Sequence, residues 1–213
     1  KTMRQFIKRI FVIFPFEEPF YKEHGIPVSF IGHPVVEKNF NLPERSLFFK
    51  QHGLDENRTL IALLPGSRRN EMERHAQPVL DAINLLNAQF PGLQFVMAGL
   101  TSLSESYYEP YASIENLQII KDDPYPLIAH SDVAIVASGT ATLETAFLGT
   151  PMVVIYKIAA LSYLIGKLLV DIDHIAMPNL IVGERAVPEL IQGDATGQKI
   201  FDAVTIVLTD ETA

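Results

Sequence analysis

The chain has 213 residues, 48% hydrophobic and 20% charged, with 17 Lys+Arg against 25 Asp+Glu and no Cys. These values fit one α/β domain, or one domain with a piece of a second, and exclude a disordered or collagenous chain. The lack of cysteine excludes disulfides, thiolate zinc sites, iron–sulfur clusters and cysteine nucleophiles, and the net charge of −8 speaks against nucleic acid as a partner.

The opening KTMRQFIKRI reads as the tail of an amphipathic helix with no initiator Met ahead of it, so a piece of a longer protein is expected. Its Lys1, Arg4, Lys8 and Arg9, with Phe6, Ile7 and Ile10, fit either a basic amphipathic membrane contact or a helix packed in a neighbouring domain. Short apolar runs then recur at 10–14, 28–32, 59–64 (TLIALL), 93–99 (LQFVMAG), 117–120, 132–137 (DVAIVA) and 151–156 (PMVVIY). They are continuous rather than alternating, as strands buried on both faces are. Helices are predicted over 16–24, 43–52, 70–90, 104–113, 124–130, 140–148, 159–170 and 196–208. The longest places Val79, Leu80, Ile83, Leu86 and Phe90 on one face, and Pro91-Gly92 stops it.

This alternation predicts a Rossmann-like α/β fold, a parallel sheet with helices on both faces. The polar segment 33–58 divides the chain. Residues 1–40 are expected to be the edge of a neighbouring domain, and 41–213 a Rossmann-like domain. The apolar stretch 158–170 is shorter than the roughly 20 residues that span a bilayer, and suits a buried helix or an acyl-chain contact.

In open α/β sheets ligands bind beyond the carboxyl ends of the strands, near helix N-termini. Pro65-Gly66-Ser67-Arg68-Arg69-Asn70-Glu71 occupies such a place. Gly66 admits a close backbone approach, the helix start offers N–H groups, and Arg68 and Arg69 add charge-assisted donors, which suits a phosphate or diphosphate. A plain strand-to-helix turn, its arginines solvated or paired to Glu71 and Glu73, fits equally. Ser138-Gly139-Thr140 opens a second helix, with Glu144 on the same face as Thr140. Glu144 could accept from a vicinal diol, or serve only as a helix-end carboxylate. Met177-Pro178-Asn179 reads first as a turn.

Other constellations are missing. The six His are scattered without an H-x-x-x-H pair, so no metal is expected. The P-loop, G-x-S-x-G and G-x-G-x-x-G patterns are absent. Asp122-Asp123 and Asp171/Asp173 could serve as acid–base groups, but such pairs are more often caps or solvated carboxylates and are read so here.

LLPGSRRNEM (63–72), ASGTATLETAFLGTPMVVIYK (137–157) and MPNLIVGERAVPELIQ (177–192), joined by FPFEEPFYKEHGIPVSFIGHPVVE (14–37), resemble the lipid-A-disaccharide synthases along nearly the whole chain. The resemblance implies the C-terminal, donor-binding half of a GT-B type glycosyltransferase with two facing Rossmann-like domains, inverting and free of metal or other cofactor. The reaction it implies moves 2,3-diacylglucosamine from UDP to 2,3-diacylglucosamine 1-phosphate. The partners it implies are a UDP-diacylglucosamine donor, a lipid monosaccharide phosphate acceptor, the cytoplasmic face of the inner membrane, and a homodimer.

Carried onto this chain, the resemblance assigns Gly66, Ser67, Arg68 and Arg69 to the diphosphate and Ser138, Gly139 and Thr140 to donors at a helix start. It assigns Glu144 to the ribose diol and Asn179 to the rest of the nucleotide pocket, with Arg68, Glu144 and Asn179 as the residues that carry activity. The family's acid–base residues would precede Lys1, so this piece is expected to bind donor rather than to catalyse transfer. Two alternatives remain at this point. One is another UDP-sugar enzyme, such as the lipid-II-forming N-acetylglucosaminyltransferase or a UDP-N-acetylglucosamine 2-epimerase; the other is a non-catalytic nucleotide-binding module.

Overall fold

Residues 6–159 and 174–209 are described by a computed structural model, in which the chain forms two units, Lys1–Phe40 and Asn41–Ala213. In the first, Ile10–Val12 (β1) and Val28–Phe30 (β2) pair in parallel, Ile10 opposite Val28, on either side in sequence of the helix Glu17–Glu23 (α1). Glu17 closes the entry to α1 by accepting from the Phe14 N–H at 3.1 Å. A 3-10 turn follows over Pro34–Glu37, its first turn held by His33 Nδ1, which accepts from the Val35 N–H at 3.1 Å. Among the described residues of this unit the buried apolar side chains are Val12, Ile26 and Val35, whereas Phe11, Phe16, Phe20 and Phe30 are exposed. Arg9 donates to Ser29 Oγ across β1 and β2 at 3.2 Å. Residues 1–5, and with them Lys1 and Arg4 of the basic amphipathic contact, lie outside the described residues.

The second unit runs Arg45–His52 (α2), Leu60–Leu64 (β3), Arg69–Gln89 (α3), Gln94–Ala98 (β4), Leu117–Ile120 (β5), Pro124–His130 (α4), Val133–Ala137 (β6), Thr140–Phe147 (α5), Met152–Tyr156 (β7), Met177–Val182 (α6), Glu189–Ile191 (β8) and Gly197–Thr209 (α7). Its strands make one parallel sheet in the order β5-β4-β3-β6-β7-β8. Side chains alternate between the faces of a strand, so strands apolar at every position feed two cores. Ile61, Leu63, Phe95, Met97, Val133, Ile135, Val153 and Ile155 pack against Val79, Ile83 and Leu86 of α3 and Ile200 and Val204 of α7. Leu60, Ala62, Val96, Ala134, Val136, Met152 and Val154 pack on the other face against Phe48 and Phe49 of α2 and Leu127 of α4. Each such buried aliphatic side chain contributes about 1.5–3 kcal/mol relative to exposure. Gly197 lets α7 press onto α3, since a Cβ there would lie 2.3 Å from Asp81 Cβ.

The fold is therefore α/β with helices on both faces of a parallel sheet. From β3 the chain steps outward to β4 and β5, returns to β6 beside β3, and steps outward the other way. The β3–β6 junction is thus the topological switch point, where the loops leaving two neighbouring strands diverge and open a crevice.

Some elements differ from expectation. The helix predicted over 104–113 is instead two 3-10 turns, Glu105–Tyr107 and Glu109–Tyr111, because Pro110 has no N–H for a continuing helix. Tyr108 pins the segment instead, its hydroxyl accepting from the Leu100 N–H at 2.7 Å. The turn at Met177-Pro178-Asn179 is the start of α6, where proline at the first positions costs no hydrogen bond. Strand β8 was absent from the apolar runs, being three residues long at the sheet edge. The predicted helix 159–170, the apolar stretch it shares with 158, and Asp171/Asp173 fall almost wholly on 160–173, outside the described residues. Among the described residues no helix is long and apolar enough to cross a membrane.

Candidate functional site

The crevice at the switch point is a cleft of about 380 Å³ lined by the loop after β3 (Gly66, Ser67, Arg68), the start of α5 with the residues before it (Ser138, Gly139, Thr140) and Glu144. Glu71, Asp122, Pro124 and the β4 exit at Ala98–Leu100 complete it. Two segments more than sixty residues apart in sequence therefore meet because β3 and β6 are neighbours, with Leu64 beside Val136.

The loop after β3 owes its shape to Gly66 and Glu71. Gly66 sits at φ +140, and a Cβ there would stand 2.4 Å from Glu71 Cβ, so only glycine fits. Glu71, in the first turn of α3, accepts from the Ser67 and Arg68 N–H groups through Oε2, at 2.8 and 3.2 Å, and from Arg68 Nη1 through Oε1 at 3.1 Å. Ordinarily the first N–H groups of a helix lack intrahelical acceptors and favour an anion. Here the chain's own carboxylate holds two backbone donors and one guanidinium. The Arg68 side chain is 81% exposed and free to follow a ligand out of that pairing.

The second wall is also partly occupied. Ser138 Oγ donates to Ile175 O at 3.2 Å, tying this loop to the chain that enters α6. Thr140 is exposed at the start of α5, while Thr142 is turned inward and donates to Gly139 O at 2.7 Å. The Thr142 hydroxyl is thus spent on the backbone. Glu144 accepts from Tyr125 Oη at 2.7 Å, which fixes one oxygen. Tyr125 stands on α4, whose start is capped by Asp123 accepting from the Tyr125 N–H at 3.1 Å.

Two expected members of the site lie elsewhere. Arg69 stacks its guanidinium over the Tyr107 ring, 5.7 Å from the centroid, and is not in the cleft wall. Asn179 is fully buried. Its amide donates to Val187 O at 2.9 Å and to Glu189, and its Oδ1 accepts from the Val187 N–H at 2.8 Å. The side chain is a clamp between α6 and the approach to β8, with no surface for a nucleotide. Glu189 is the centre of that clamp, accepting also from the Ile175 and Ala176 N–H groups at 2.7 and 3.0 Å and from His174 Nδ1 at 3.0 Å. Burial pushes its carboxyl up, but the Asn179 bond, the two backbone donors and His174 outweigh this and hold it below the usual carboxylate range.

Sequence reasoning left Asp122, which stands in the cleft wall, as a cap or solvated carboxylate, and missed Tyr125, which orients Glu144. Their signal was only the strand-end position of the Asp-Asp-Pro turn after β5. Among the described residues, no group of three His, Asp or Glu side chains is placed to hold a metal ion.

Comparison with known proteins gives this cleft a context. The family model for lipid-A-disaccharide synthetase matches residues 1–213. The lipid-A-disaccharide synthase of Geobacter metallireducens is 39% identical over 212 residues, covering 99% of this chain and 55% of that protein. That of Syntrophus aciditrophicus is 40% identical over 211 residues, covering 98% of this chain and 55% of that protein. The chain thus spans about half the length of these relatives. Among solved structures, a UDP-GlcNAc 2-epimerase from Neisseria meningitidis bound to UDP-GlcNAc superposes with a TM-score of 0.66 at 17% identity, covering 93% of this chain and 53% of that one. The E. coli ADP-heptose LPS heptosyltransferase II superposes with a TM-score of 0.58 at 18% identity, covering 82% and 54%. At such identities the likeness is one of fold alone. The match along the whole length, with the curated relatives near 40% identity, decides the family: the chain belongs to the lipid-A-disaccharide synthetases.

Proposed function

We propose that the chain is the donor-binding half of a GT-B type glycosyltransferase that moves 2,3-diacylglucosamine from UDP to 2,3-diacylglucosamine 1-phosphate, releasing UDP and the tetraacyl disaccharide phosphate. One observation carries this reading: in a chain of this family, the glycine loop after β3 and the start of α5 face each other across a single cleft at the switch point.

In this reading the donor's diphosphate replaces the Glu71 carboxylate on the Ser67 and Arg68 N–H groups, and Arg68 turns from Glu71 to the β-phosphate. Thr140 and the N-terminal N–H groups of α5 meet the phosphates from the other wall. Glu144, steadied by Tyr125, accepts from the ribose diol. As the bond between the sugar's anomeric carbon and the β-phosphate oxygen breaks, negative charge grows on that oxygen, and preorganised donors stabilise it. The acceptor hydroxyl attacks the anomeric carbon from the opposite face, with inversion, and gives up its proton to a base in the half of the protein that precedes this chain. No metal is needed, because Arg68 and the two sets of N–H groups meet the charge.

Residues 1–40 belong, in the same reading, to the edge of that preceding domain. The proposed lipid substrates suit a protein at the cytoplasmic face of the inner membrane, and a homodimer is the proposed assembly.

The test is a transfer assay on the full-length protein with UDP-2,3-diacylglucosamine and 2,3-diacylglucosamine 1-phosphate, read by mass spectrometry. Disaccharide phosphate formed in step with UDP is the expected product. No disaccharide, together with epimerisation of UDP-N-acetylglucosamine or transfer of its sugar to another acceptor, would replace this reading with a neighbouring activity.

A further inference from the structure

His75 lies two turns into α3 and is 1% exposed. Its Nδ1 is 2.5 Å from the Pro65 carbonyl oxygen, and its Nε2 is 3.0 Å from the Lys157 backbone nitrogen. A carbonyl oxygen only accepts and a backbone N–H only donates, so these partners decide the tautomer. Nδ1 carries the proton and donates to Pro65; Nε2 is bare and accepts from Lys157. One neutral ring thus joins the loop leaving β3 to the residue that follows β7.

Pro65 immediately precedes Gly66, and the peptide between them is trans and planar. In such a unit the C=O and the next N–H point to opposite sides. Drawing the Pro65 carbonyl onto His75 therefore turns the Gly66 N–H away from His75, at a residue that lines the cleft.

We propose that His75 is a positioning residue for the diphosphate seat: by holding the Pro65 carbonyl it sets the Gly66 peptide plane and with it the run of N–H groups from Gly66 to Arg68. This deepens the donor-binding reading and rests on it for the identity of the ligand.

The device is sensitive to acid. Burial disfavours the imidazolium and lowers the pKa of His75 below 6.5; the Pro65 bond and Glu71 oppose this, while Lys157 and Arg74 reinforce it. Protonation would set an Nε2–H against the Lys157 N–H, break that arm and loosen the ring behind the loop.

Two variants separate the arms. Asparagine puts an amide N–H near the Nδ1 position, and glutamine puts a carbonyl oxygen near the Nε2 position. UDP binding to the full-length protein is measured by calorimetry from about pH 7.5 down to about 4.5, reaching below the ordinary histidine range because burial lowers the pKa of His75. Wild type is expected to weaken along the His75 titration. His75→Asn is expected to bind within about threefold of wild type with the pH dependence removed, and His75→Gln to bind about fivefold to tenfold more weakly, the effect of one lost hydrogen bond.

In ligand-free protein carrying labelled histidine and glycine, nitrogen shifts of the ring should show the Nδ1–H tautomer, and the Gly66 amide should titrate with the same midpoint. A Gly66 amide indifferent to that titration overturns the proposal, as does wild-type affinity in both variants. If wild type binds no UDP while Gly66 follows His75, the donor reading fails and the positioning role stands. Should either variant fail to fold, the wild-type titration alone decides.

Discussion

Arg68 separates function from stability. Its side chain is largely exposed and paired with Glu71, and exposed ion pairs contribute about 0–1 kcal/mol. Opposite the leaving β-phosphate the same guanidinium would act where charge develops, and losing one such donor lowers turnover by about 10²–10³. Arg68→Ala in the full-length protein is therefore expected to melt as wild type does and to turn over about 10²–10³ more slowly; near-normal turnover removes Arg68 from the reaction. Gly66 combines both roles. Its φ of +140 and the 2.4 Å approach to Glu71 Cβ leave no room for a methyl group, so Gly66→Ala must rebuild the loop. Denaturant titration is expected to show a loss of about 1–3 kcal/mol, the range for a strained non-glycine backbone, along with lost UDP binding. Equal stability and affinity would mean that the loop has a second shape open to it. Glu144 tests the other wall. If its carboxylate takes the ribose diol, Glu144→Ala weakens UDP binding by about tenfold or more, the loss of a charge-assisted pair of hydrogen bonds. Unchanged affinity would make Glu144 a partner of Tyr125 alone.

At the scale of elements, the Glu189 clamp decides how α6 meets β8. One carboxylate with 6% of its side chain exposed gathers the Ile175 and Ala176 N–H groups, Asn179 and His174. Because its folded pKa lies below the 4.5 of an unperturbed glutamate, the folded state holds fewer protons than the unfolded state around and below that pH. The contribution is therefore complete above about pH 4.5 and is lost as pH falls through the folded value. Glu189→Gln is expected to lose about 1.5–3 kcal/mol at neutral pH, the range for hydrogen bonds to a charged group, with the gap to wild type narrowing in acid. A gap that stays constant down to acid would show that the carboxylate's charge is irrelevant there.

The same clamp shows why the place of Asn179 was not legible in the sequence. Its partners are Val187 and Glu189, eight and ten residues further on, and no helical or strand period links such positions. The central strands, by contrast, were legible because a strand covered on both faces must be apolar throughout, whereas the three-residue β8 is too short to show a pattern. The two walls of the cleft were legible as glycine-led turns between strand and helix, each open equally to a ligand or to a plain turn. That they face each other was not, since it follows from the order β3-β6 in the sheet, which local spacing does not encode. Arg69 shows the same limit, because its pairing with Tyr107 depends on the fold of a loop thirty-eight residues away.

The whole molecule divides its stability unevenly. Residues 41–213 contain the six-stranded sheet and both apolar clusters, whereas residues 1–40 bury Val12, Ile26 and Val35 beneath a two-stranded pairing. A two-stranded sheet is marginal in water, and three or more strands with a covered face are needed for independent stability. Every residue placed in the cleft also lies after residue 41. Residues 41–213 expressed alone are therefore expected to unfold in one cooperative thermal transition and to bind UDP within about threefold of the full-length protein, as a preformed site on a rigid sheet should. Residues 1–40 alone are expected to show no transition. The separated unit should form no disaccharide, because the base that takes the acceptor's proton is proposed to stand outside it. A non-cooperative 41–213, or one that folds but binds UDP far more weakly, would mean that the donor site depends on residues 1–40 and that the larger unit is not the self-sufficient half.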